Sequence, residues 1–405
     1  METDVLVIGG GAAGFFTAIN IAAQSNLKVA IAERGKEVLT KVKISGGGRC
    51  NVTHAEFIPK ELVKFYPRGE KELKGPFHTF MSGDVMEWFE SRGVALKIEE
   101  DGRIFPVTDS SQTIIDCFLN ESKKHGVTIL KGMPVKSIHK VASGYQVQTA
   151  KEVLNAKAVV VATGSNPKIW QLLEGMGHSI VPPVPSLFTF NCTNSLLKPL
   201  PGVATMATVK VVGTKLTSSG PLLITHWGFS GPAILKLSAW GARDLSDLNY
   251  QFTIQVNWLH QLTFEDALEM LKTTKEEHPK KTLGNAKVFD VPKRLWEGVL
   301  TEIGLLDIRW ADISKKQINA LAHELTSAAF QINGKSTFKE EFVTAGGVEL
   351  KEVNFKTYES KLHPGLYLAG EVLNIDAITG GFNFQNAWTS GFIAAKAIVS
   401  QLTEH

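Results

Sequence analysis

The 405-residue sequence has few cysteines, no long apolar run and almost no net charge. Its three cysteines, Cys50, Cys117 and Cys192, are far apart and odd in number, which excludes a disulfide framework and a zinc-binding spacing. Reduced cysteines, and an N-terminus without the basic segment of a signal peptide, predict a cytoplasmic protein. No apolar run reaches the roughly 20 residues that a membrane span needs. The formal net charge of +3 gives no strong sign of nucleic-acid or membrane binding, although it leaves local basic patches open.

The residues near the N-terminus point instead to a nucleotide site. An apolar run ends in the glycine-rich segment 9–14, and a helical stretch then leads to a second apolar run that closes at Glu33. Gly9 allows a tight turn, Gly11 lets the backbone approach a pyrophosphate, and Gly14 lets the helix pack closely on the sheet. The helix N-terminus presents free N–H groups to that pyrophosphate, and Glu33 can accept hydrogen bonds from a ribose diol. The pattern predicts a dinucleotide site, and the alternative is a glycine-rich turn without a ligand.

Two further apolar segments end in glycine, at Thr163-Gly164 and at Gly370-Glu371. Ligands of doubly wound sheets bind outside the carboxyl ends of the strands, so we expect both ends to meet Gly9 at one crevice. Glu371 would there hydrogen-bond the ribityl chain of a flavin. The alternative for Glu371 is an acid exposed on the surface after a strand.

A loop rich in glycine and basic residues is predicted over residues 34–57. The run Gly46–Gly48 can expose backbone N–H groups that bind an anion, while Lys43, Ser45 and Arg49 add charge and donors. A solvated basic loop is the alternative. Cys50 is a candidate redox thiol, but it has no CxxC partner, which favours a packed cysteine.

A third glycine-rich turn, at Gly380-Gly381, precedes a predicted helix. Backbone N–H groups at a helix start can stabilise the anion that develops at the N1–C2=O edge of a reduced flavin. Phe382 and Phe384 either wall the flavin ring or pack in the core.

Two other residues are candidates for catalysis. His226, in a β-rich segment, is a candidate proton donor because histidine often acts as a general acid, although a histidine near apolar residues is often structural. Arg103 can bind an anion, with a salt-bridged surface arginine as the equal alternative.

The order of apolar runs predicts an α/β protein with a Rossmann-like domain formed by both chain ends. Helices are expected over 78–93, 110–125 and 388–402, and a hairpin over 144–149 and 152–156. We place the first part of the nucleotide domain at 1–185, an inserted β-rich, barrel-like domain at 186–260 and a helical subdomain at 261–330. The chain then returns through the β-rich domain at 331–343, and 344–405 completes the nucleotide domain.

The chain resembles the BaiN-type NAD(P)/FAD-dependent oxidoreductases, which share the glutathione-reductase-type FAD fold. The resemblance spans nearly the whole chain, and its motifs are GGGAAG at 9–14, KISGGGRCN at 43–51, GRIFP at 102–106, THWGFSGP at 225–232, TAGGV at 344–348, ESKLHPGLYLAGEVLNID at 359–376 and TGGFNFQNAW at 379–388. The loop after Gly164, which can border the ligand crevice, is shorter than is usual in the family.

The resemblance implies an FAD cofactor and adds contacts at Ala13, Arg34, Val135 and Ala162. It also implies that His226 faces the active site. The full set of candidate cofactor-binding residues is Gly9, Gly11, Ala13, Gly14, Glu33, Arg34, Lys43, Ser45, Gly46, Gly47, Gly48, Arg49, Cys50, Asn51, Val135, Ala162, Thr163, Gly164, Gly370, Glu371, Gly381, Phe382, Asn383 and Phe384. The candidate catalytic residues are His226, Arg103 and Cys50, and no metal is expected.

Three functions remain open from the sequence. The first is hydride transfer from reduced FAD to an electron-poor C=C bond of an unidentified substrate, for which a small molecule is favoured. NADH or NADPH would dock transiently because a second GxGxxG motif is missing. The second, which relatives suggest, is reduction of uridine to dihydrouridine in ribosomal RNA. A basic patch at Lys41, Lys43, Arg49, Lys60, Lys64, Arg68, Lys71 and Lys74 would serve it, although nearby glutamates dilute the charge. The third is an FAD-containing RNA-binding or assembly protein with little turnover. The oligomeric state stays open.

Overall fold

The computed structural model describes residues 1–336 and 343–403. They form two compact units, one within Met1–Val184 and Lys339–His405 and the other within Pro185–Phe338. The division of the inserted region at 186–260, 261–330 and 331–343 remains a prediction. Within the proposed ranges, residues 337–342, 404 and 405 lie outside the described residues.

The elements are numbered in chain order. The strands are β1 Glu2–Ile8, β2 Val29–Glu33, β3 Thr53–His54, β4 Leu96–Ile98, β5 Arg103–Pro106, β6 Thr128–Lys131, β7 Val135–Val141, β8 Gly144–Thr149, β9 Val153–Val161, β10 Ile180–Ser186, β11 Thr189–Asn191, β12 Ala204–Val211, β13 Thr217–Thr225, β14 Gly228–Ser230, β15 Gln251–Asn257, β16 Ala328–Asn333, β17 Lys335–Ser336, β18 Val343–Val348, β19 Val353–Asn354, β20 Glu359–Ser360 and β21 Leu366–Leu368. The α-helices are α1 Ala12–Gln24, α2 Thr40–Gly48, α3 Pro59–Leu62, α4 Glu70–Leu73, α5 Ser82–Glu90, α6 Ser111–Lys124, α7 Pro167–Gly175, α8 Pro232–Trp240, α9 Ala242–Asp247, α10 Phe264–Glu277, α11 Lys293–Glu302, α12 Lys315–Ser327 and α13 Phe382–Thr403.

A parallel sheet in the order β21-β9-β1-β2-β6 organises the first unit. Its central strands are apolar on both faces because helices cover a parallel sheet from both sides. In the register, Ile8 of β1 lies between Ala32 of β2 and Val161 of β9, so the carboxyl ends of these strands share one edge. Antiparallel strands β7 and β8 extend the sheet from β9. This topology confirms the predicted α/β, Rossmann-like class.

Helices α1 and α13 pack closely in the first unit. A Cβ added at Gly391 of α13 would lie 2.8 Å from Thr17 Oγ1 and 3.1 Å from the Ala13 carbonyl of α1. Glycine at this position therefore allows the N-terminal and C-terminal helices to contact each other through their backbones.

The second unit holds a seven-stranded antiparallel sheet in the order β16-β15-β12-β13-β14-β11-β17. Its strands alternate buried and exposed residues, as in β16. Helices α10, α11 and α12 share one apolar core with this sheet, in which Trp296 and Leu321 are as fully buried as Val256.

Four expectations on elements were wrong in detail. Residues 34–57 contain helix α2, although glycine interrupts its regular conformation. The second hairpin strand and the following buried strand are one continuous strand, β9. Helix α13 starts at 382 rather than 388, because the first turn follows the Gly380-Gly381 pair directly. Helix α8 lies inside the segment expected to be β-rich.

Candidate functional site

The glycines of the turn after β1 differ in how closely other atoms approach them. Gly9 has a φ of +112°, and a Cβ there would lie 2.4 Å from the Ala162 carbonyl oxygen. A Cβ at Gly14 would lie 1.9 Å from the Gly9 carbonyl oxygen. Gly11, by contrast, has no atom within 4 Å of its Cβ position. Gly9 and Gly14 therefore permit close packing, whereas Gly11 faces open space.

That open space adjoins the start of helix α1. Gly11 is the N-cap residue, and no side chain caps the first turn. The first N–H groups of the helix thus have no side-chain partner. They lie at the positive end of the helix dipole. This arrangement suits a phosphate group.

Glu33 is the last residue of β2, and both of its carboxylate oxygens accept hydrogen bonds. Its Oε2 accepts a hydrogen bond from the Gly10 N–H at 2.8 Å, and its Oε1 accepts one from the Gly35 N–H at 2.7 Å. The Glu33 carbonyl oxygen accepts a further bond from the Met133 N–H at 2.8 Å. Glu33 is thus fixed beside the glycine turn.

Three other predicted cofactor residues flank the same edge. Arg34 is exposed directly after Glu33, and Val135 opens β7 two residues beyond Met133. Thr163 is half-buried between the end of β9 and Gly164. These positions are compatible with contacts between the three residues and a cofactor. The contacts themselves remain predictions.

The ends of β9 and β21 meet the first turn as expected. The Ala162 N–H donates to the Ile8 carbonyl at 2.8 Å. A Cβ at Gly164 would lie 3.6 Å from Glu371 Oε2, and one at Gly370 would lie 3.0 Å from the Ala13 Cβ. The structure therefore brings together the three glycine-terminated segments of the sequence.

Lys41 contributes a partner for Glu371 that the sequence argument missed. Its Nζ lies 2.8 Å from Glu371 Oε2, and this carboxylate raises the pKa of the Lys41 ammonium. The two residues are 330 positions apart in the chain, and only the fold brings them into contact.

The glycine-rich loop interrupts helix α2. Gly46, Gly47 and Gly48 all have positive φ, and no atom lies within 4 Å of a Cβ at Gly47 or Gly48. Ser45 Oγ donates to the Val42 carbonyl at 2.8 Å, and Lys43 is exposed. The backbone of this run is therefore open to a ligand, whereas the Ser45 hydroxyl proton is used within the helix.

Both candidate arginines form ion pairs. Arg49 contacts Glu99 at 2.6 Å and Asp109 at 3.4 Å. Arg103 contacts Asp101 at 2.7 Å and Glu99 at 3.2 Å. This arrangement fits the salt-bridged alternative for Arg103, so we assign it no catalytic role.

Cys50 is fully buried, and burial raises the pKa of its thiol to about 12 despite an opposing hydrogen bond with Ser45. A thiolate is thus disfavoured, which supports the packed-cysteine interpretation and argues against a catalytic thiol. The neighbouring Asn51 Oδ1 is buried without a hydrogen-bond partner among the described residues. It can accept a bond from a ligand N–H group.

The Gly380-Gly381 turn leads into the N-terminus of α13. A Cβ at Gly381 would lie 2.6 Å from the Thr53 carbonyl oxygen. Asn383 fixes the preceding loop, because its Oδ1 accepts from the Ala377 N–H at 3.0 Å. The turn is therefore held against β3 with the start of a long helix behind it.

The two candidate aromatic residues after this turn pack against other aromatic rings of the protein. The ring centroid of Phe382 lies 4.3 Å from that of Phe65 in a stacked arrangement. The ring of Phe384 stacks on Trp388 at 5.4 Å. This favours the core interpretation for Phe382, which is buried.

His54 was missed by the sequence argument. Its Nδ1 lies 3.1 Å from the Gly380 carbonyl oxygen, and its ring centroid lies 4.6 Å from that of Phe382. Burial lowers the pKa of His54, although the hydrogen bond to Gly380 opposes this shift. The only sequence signal was its place three residues after Asn51.

His226 belongs to the second unit. It is exposed at the tip of the β13–β14 hairpin, and no described residue hydrogen-bonds its ring. It lines a cleft of about 470 Å³ within that unit. Its role as a proton donor remains a prediction.

The first unit fits an FAD molecule. A bound dinucleotide would satisfy three features: the uncapped start of α1 beside Gly11, the open backbone of Gly47 and Gly48, and the unpartnered Asn51 Oδ1.

Within residues 1–336 and 343–403, no cluster of three or more metal-ligating side chains is present. None of the helices in those ranges is both long and apolar enough to cross a membrane.

Comparisons with known proteins support this assignment. The family profile described as "HI0933-like protein Rossmann domain" matches residues 3–397. The chain is 30% identical to the ribosomal RNA dihydrouridine synthase of Escherichia coli (strain K12) over 98% of each chain. It is 26% identical to the 3-dehydro-bile acid delta(4,6)-reductase of Clostridium scindens over 96% of this chain and 98% of the relative.

Among solved structures, the 3-ketosteroid-delta4-(5alpha)-dehydrogenase of Rhodococcus jostii RHA1 superimposes with a TM-score of 0.51 at 13% identity, with 97% of each chain covered. At this identity, the similarity shows the fold alone. The chain therefore belongs to the HI0933-like Rossmann family, a family of FAD-dependent oxidoreductases.

Proposed function

We propose that this oxidoreductase uses NAD(P)H to reduce an electron-poor C=C bond, and that the substrate is a uracil ring in ribosomal RNA. The observation that carries the substrate is the 30% identity, over 98% of both chains, with a relative named for dihydrouridine synthesis. The relative named as a bile-acid reductase supports a small-molecule enone as the second candidate.

The first unit holds the cofactor. The start of α1 beside Gly11 would bind the pyrophosphate, Glu33 the adenosine ribose and Glu371 the ribityl chain. The start of α13 after Gly381 would favour negative charge at the pyrimidine edge of the flavin. These residues bind and orient, and FAD supplies the reactivity.

When bound, FAD supplies hydride transfer, so that NAD(P)H, a proton and the C=C bond yield NAD(P)⁺ and a saturated C–C bond. The carbon next to the one that receives the hydride needs a proton, and the candidate donors are water and, from the sequence, His226. Because His226 is exposed, its ring can exchange protons with solvent.

The basic patch that we considered for RNA binding carries less unpaired charge than its eight basic residues indicate. Lys41, Arg49, Lys64 and Arg68 pair with Glu371, Glu99, Glu61 and Asp376 respectively. Four of the eight basic side chains are thus engaged in ion pairs. We therefore do not place RNA binding on this segment.

Nucleoside mass spectrometry tests the substrate. In a deletion strain, ribosomal RNA should lose a uridine that is two daltons heavier than normal, because two hydrogens are no longer added. A plasmid-borne wild-type copy and Glu37→Gln should restore it, whereas Glu33→Gln should not. Glu37 is the matched control because it is an exposed acid four residues away. An unchanged dihydrouridine content would transfer the proposal to small-molecule enones.

A second experiment tests the donor. The purified protein should be yellow, and NADH or NADPH should bleach it without oxygen. If FAD binds but neither donor reduces it, and dithionite followed by substrate gives no turnover, an RNA-binding or assembly role with little turnover replaces the enzymatic proposal.

A further inference from the structure

The cleft of the second unit carries an exposed indole on a rigid support. Trp227 is 65% exposed, more than any other large apolar side chain in the described part of the chain. It occupies, with His226, the tip of the hairpin between Thr225 of β13 and Gly228 of β14. A large exposed aromatic ring at a cleft is typical of a binding surface.

The backbone beneath Trp227 is fixed on both sides. Its N–H donates to Thr225 Oγ1 at 3.2 Å, and its carbonyl oxygen accepts from the Cys192 N–H at 2.8 Å. Thr225 Oγ1 in turn donates to the Gly228 carbonyl oxygen at 3.2 Å. The indole is therefore presented to solvent by an ordered turn, which reduces the entropy lost when a planar ring stacks on it.

Two asparagines in the same cleft offer hydrogen-bond donors. Asn191 Oδ1 accepts from Ser336 Oγ at 2.8 Å, and Asn194 Oδ1 accepts from the Leu196 N–H at 2.9 Å. With both oxygens occupied, the Nδ2 groups are the free ends of the two amides, and no described residue accepts from them. Two amide donors suit a ring that carries two carbonyl oxygens.

A single exposed cation completes the lining. Lys198 forms no ion pair with any described residue. Its ammonium can bind the phosphate of a nucleotide whose base stacks on Trp227. Aromatic stacking, paired amide donors and a nearby cation are the groups by which proteins bind nucleotides of unpaired RNA strands.

We propose that this cleft is a binding site for a uracil nucleotide of single-stranded RNA, with Trp227 stacking on the base, Asn191 and Asn194 donating to its two carbonyl oxygens, and Lys198 binding the phosphate. The inference rests on the proposed function for its choice of uracil. It concerns binding within the second unit, so it is testable without turnover.

Calorimetric titration of the FAD-loaded full chain tests the site with UMP, CMP and uridine. UMP should bind about tenfold more tightly than CMP, because cytosine replaces one carbonyl with an amino donor. Asn191→Asp, which replaces a donor with an acceptor, should abolish that preference. Lys198→Gln should reduce the affinity for UMP to that for uridine.

A pair of tryptophan variants supplies the control. Trp227→Ala should weaken UMP binding about tenfold, a loss typical of a base–aromatic stack. Trp240→Ala, at the 40%-exposed end of α8 and outside the cleft, should leave it unchanged. Equal binding of UMP and CMP, equal affinities for the two variants, or preferential binding of a steroid enone would each overturn the inference.

The two proposals fail separately. If dihydrouridine persists in the deletion strain while UMP still binds through Trp227, the proposed reaction is wrong and the site stands. If dihydrouridine is lost while Trp227→Ala binds UMP as tightly as wild type, the proposed reaction stands and the proposed site is wrong.

Discussion

Lys41 Nζ lies 2.8 Å from Glu371 Oε2 and joins helix α2 to the turn after β21. The contact spans the edge at which the glycine-rich segments converge. Lys41 therefore positions the acid that we assign to the ribityl chain, and it does so from a segment that also presents the open glycine run.

Replacing Lys41 with Gln should weaken FAD binding about two- to fivefold, the range expected for a half-exposed ion pair. Glu371 would then lose the partner that fixes its orientation. Titration of the apo-protein with FAD measures the change, and Lys36→Gln removes a nearby exposed lysine as control. Equal affinities for the two variants would contradict a positioning role for Lys41.

Gly11→Ala and Gly14→Ala should separate binding from folding. The methyl group added by Gly11→Ala would enter open space beside the start of α1, so the variant should fold with stability within about 0.5 kcal/mol of wild type. Its FAD affinity should fall more than about tenfold, since that space is assigned to the pyrophosphate. Gly14→Ala should be severely destabilised because its Cβ would lie 1.9 Å from the Gly9 carbonyl oxygen.

Thermal unfolding and FAD titration of both variants check this pair. A Gly11→Ala protein that binds FAD normally would place the pyrophosphate elsewhere. A stable Gly14→Ala protein would show that α1 does not pack on the first turn as described.

The hydrogen bonds around His178 predict a loss of stability in acid. Its Nδ1 lies 2.8 Å from Glu352 Oε2, and its Nε2 lies 3.0 Å from Ser360 Oγ. Ser360 Oγ also accepts two backbone N–H groups, so its proton points to His178 Nε2, which must be unprotonated. Burial lowers the pKa of His178, against the opposing effect of Glu352.

An unfolded histidine titrates near pH 6.5. Below about pH 6.5 the unfolded chain therefore binds a proton that the folded chain resists, and the free energy of unfolding falls. Melting curves between about pH 7.5 and about pH 5.5 should show this decline. His178→Gln should be less stable at neutral pH but should lose less on acidification, whereas the exposed control His139→Gln should behave as wild type.

Cys50→Ala should retain reduction of the bound flavin by NAD(P)H, because the buried thiol does not ionise in the working range. The expected cost is a loss of stability of about 1 kcal/mol from the small cavity. Anaerobic bleaching compared with wild type measures the first effect, and urea unfolding measures the second. A variant that binds FAD but no longer accepts hydride would restore Cys50 as a catalytic candidate.

The sequence predicted those parts of the candidate site whose geometry depends on local chemistry. Glycine before a helix and an acid after a strand follow from steric and hydrogen-bonding rules, so Gly9, Gly11, Gly14 and Glu33 were identifiable from spacing alone. The convergence at Gly370 was also predictable, because the carboxyl ends of parallel strands share an edge.

The rest depends on contacts between distant segments. Lys41 and His54 contact residues more than 300 positions away, so no local pattern marks them. Arg49 looked like an anion ligand because its acidic partners, Glu99 and Asp109, lie 50 and 60 positions away in the chain. Arg103 is the exception, because Asp101 and Glu99 lie only two and four residues from it and its ion pairs follow a local pattern.

The parallel sheet imposes an order on biogenesis. Strand β9 pairs with β1, which is translated before the second unit, and with β21, which is translated after it, as is helix α13. Apolar surface of the first unit thus stays uncovered in the nascent chain while the intervening unit, which has its own contacts, is made. Chaperone demand should therefore persist until β21 and α13 have emerged, and cofactor capture should come after that point.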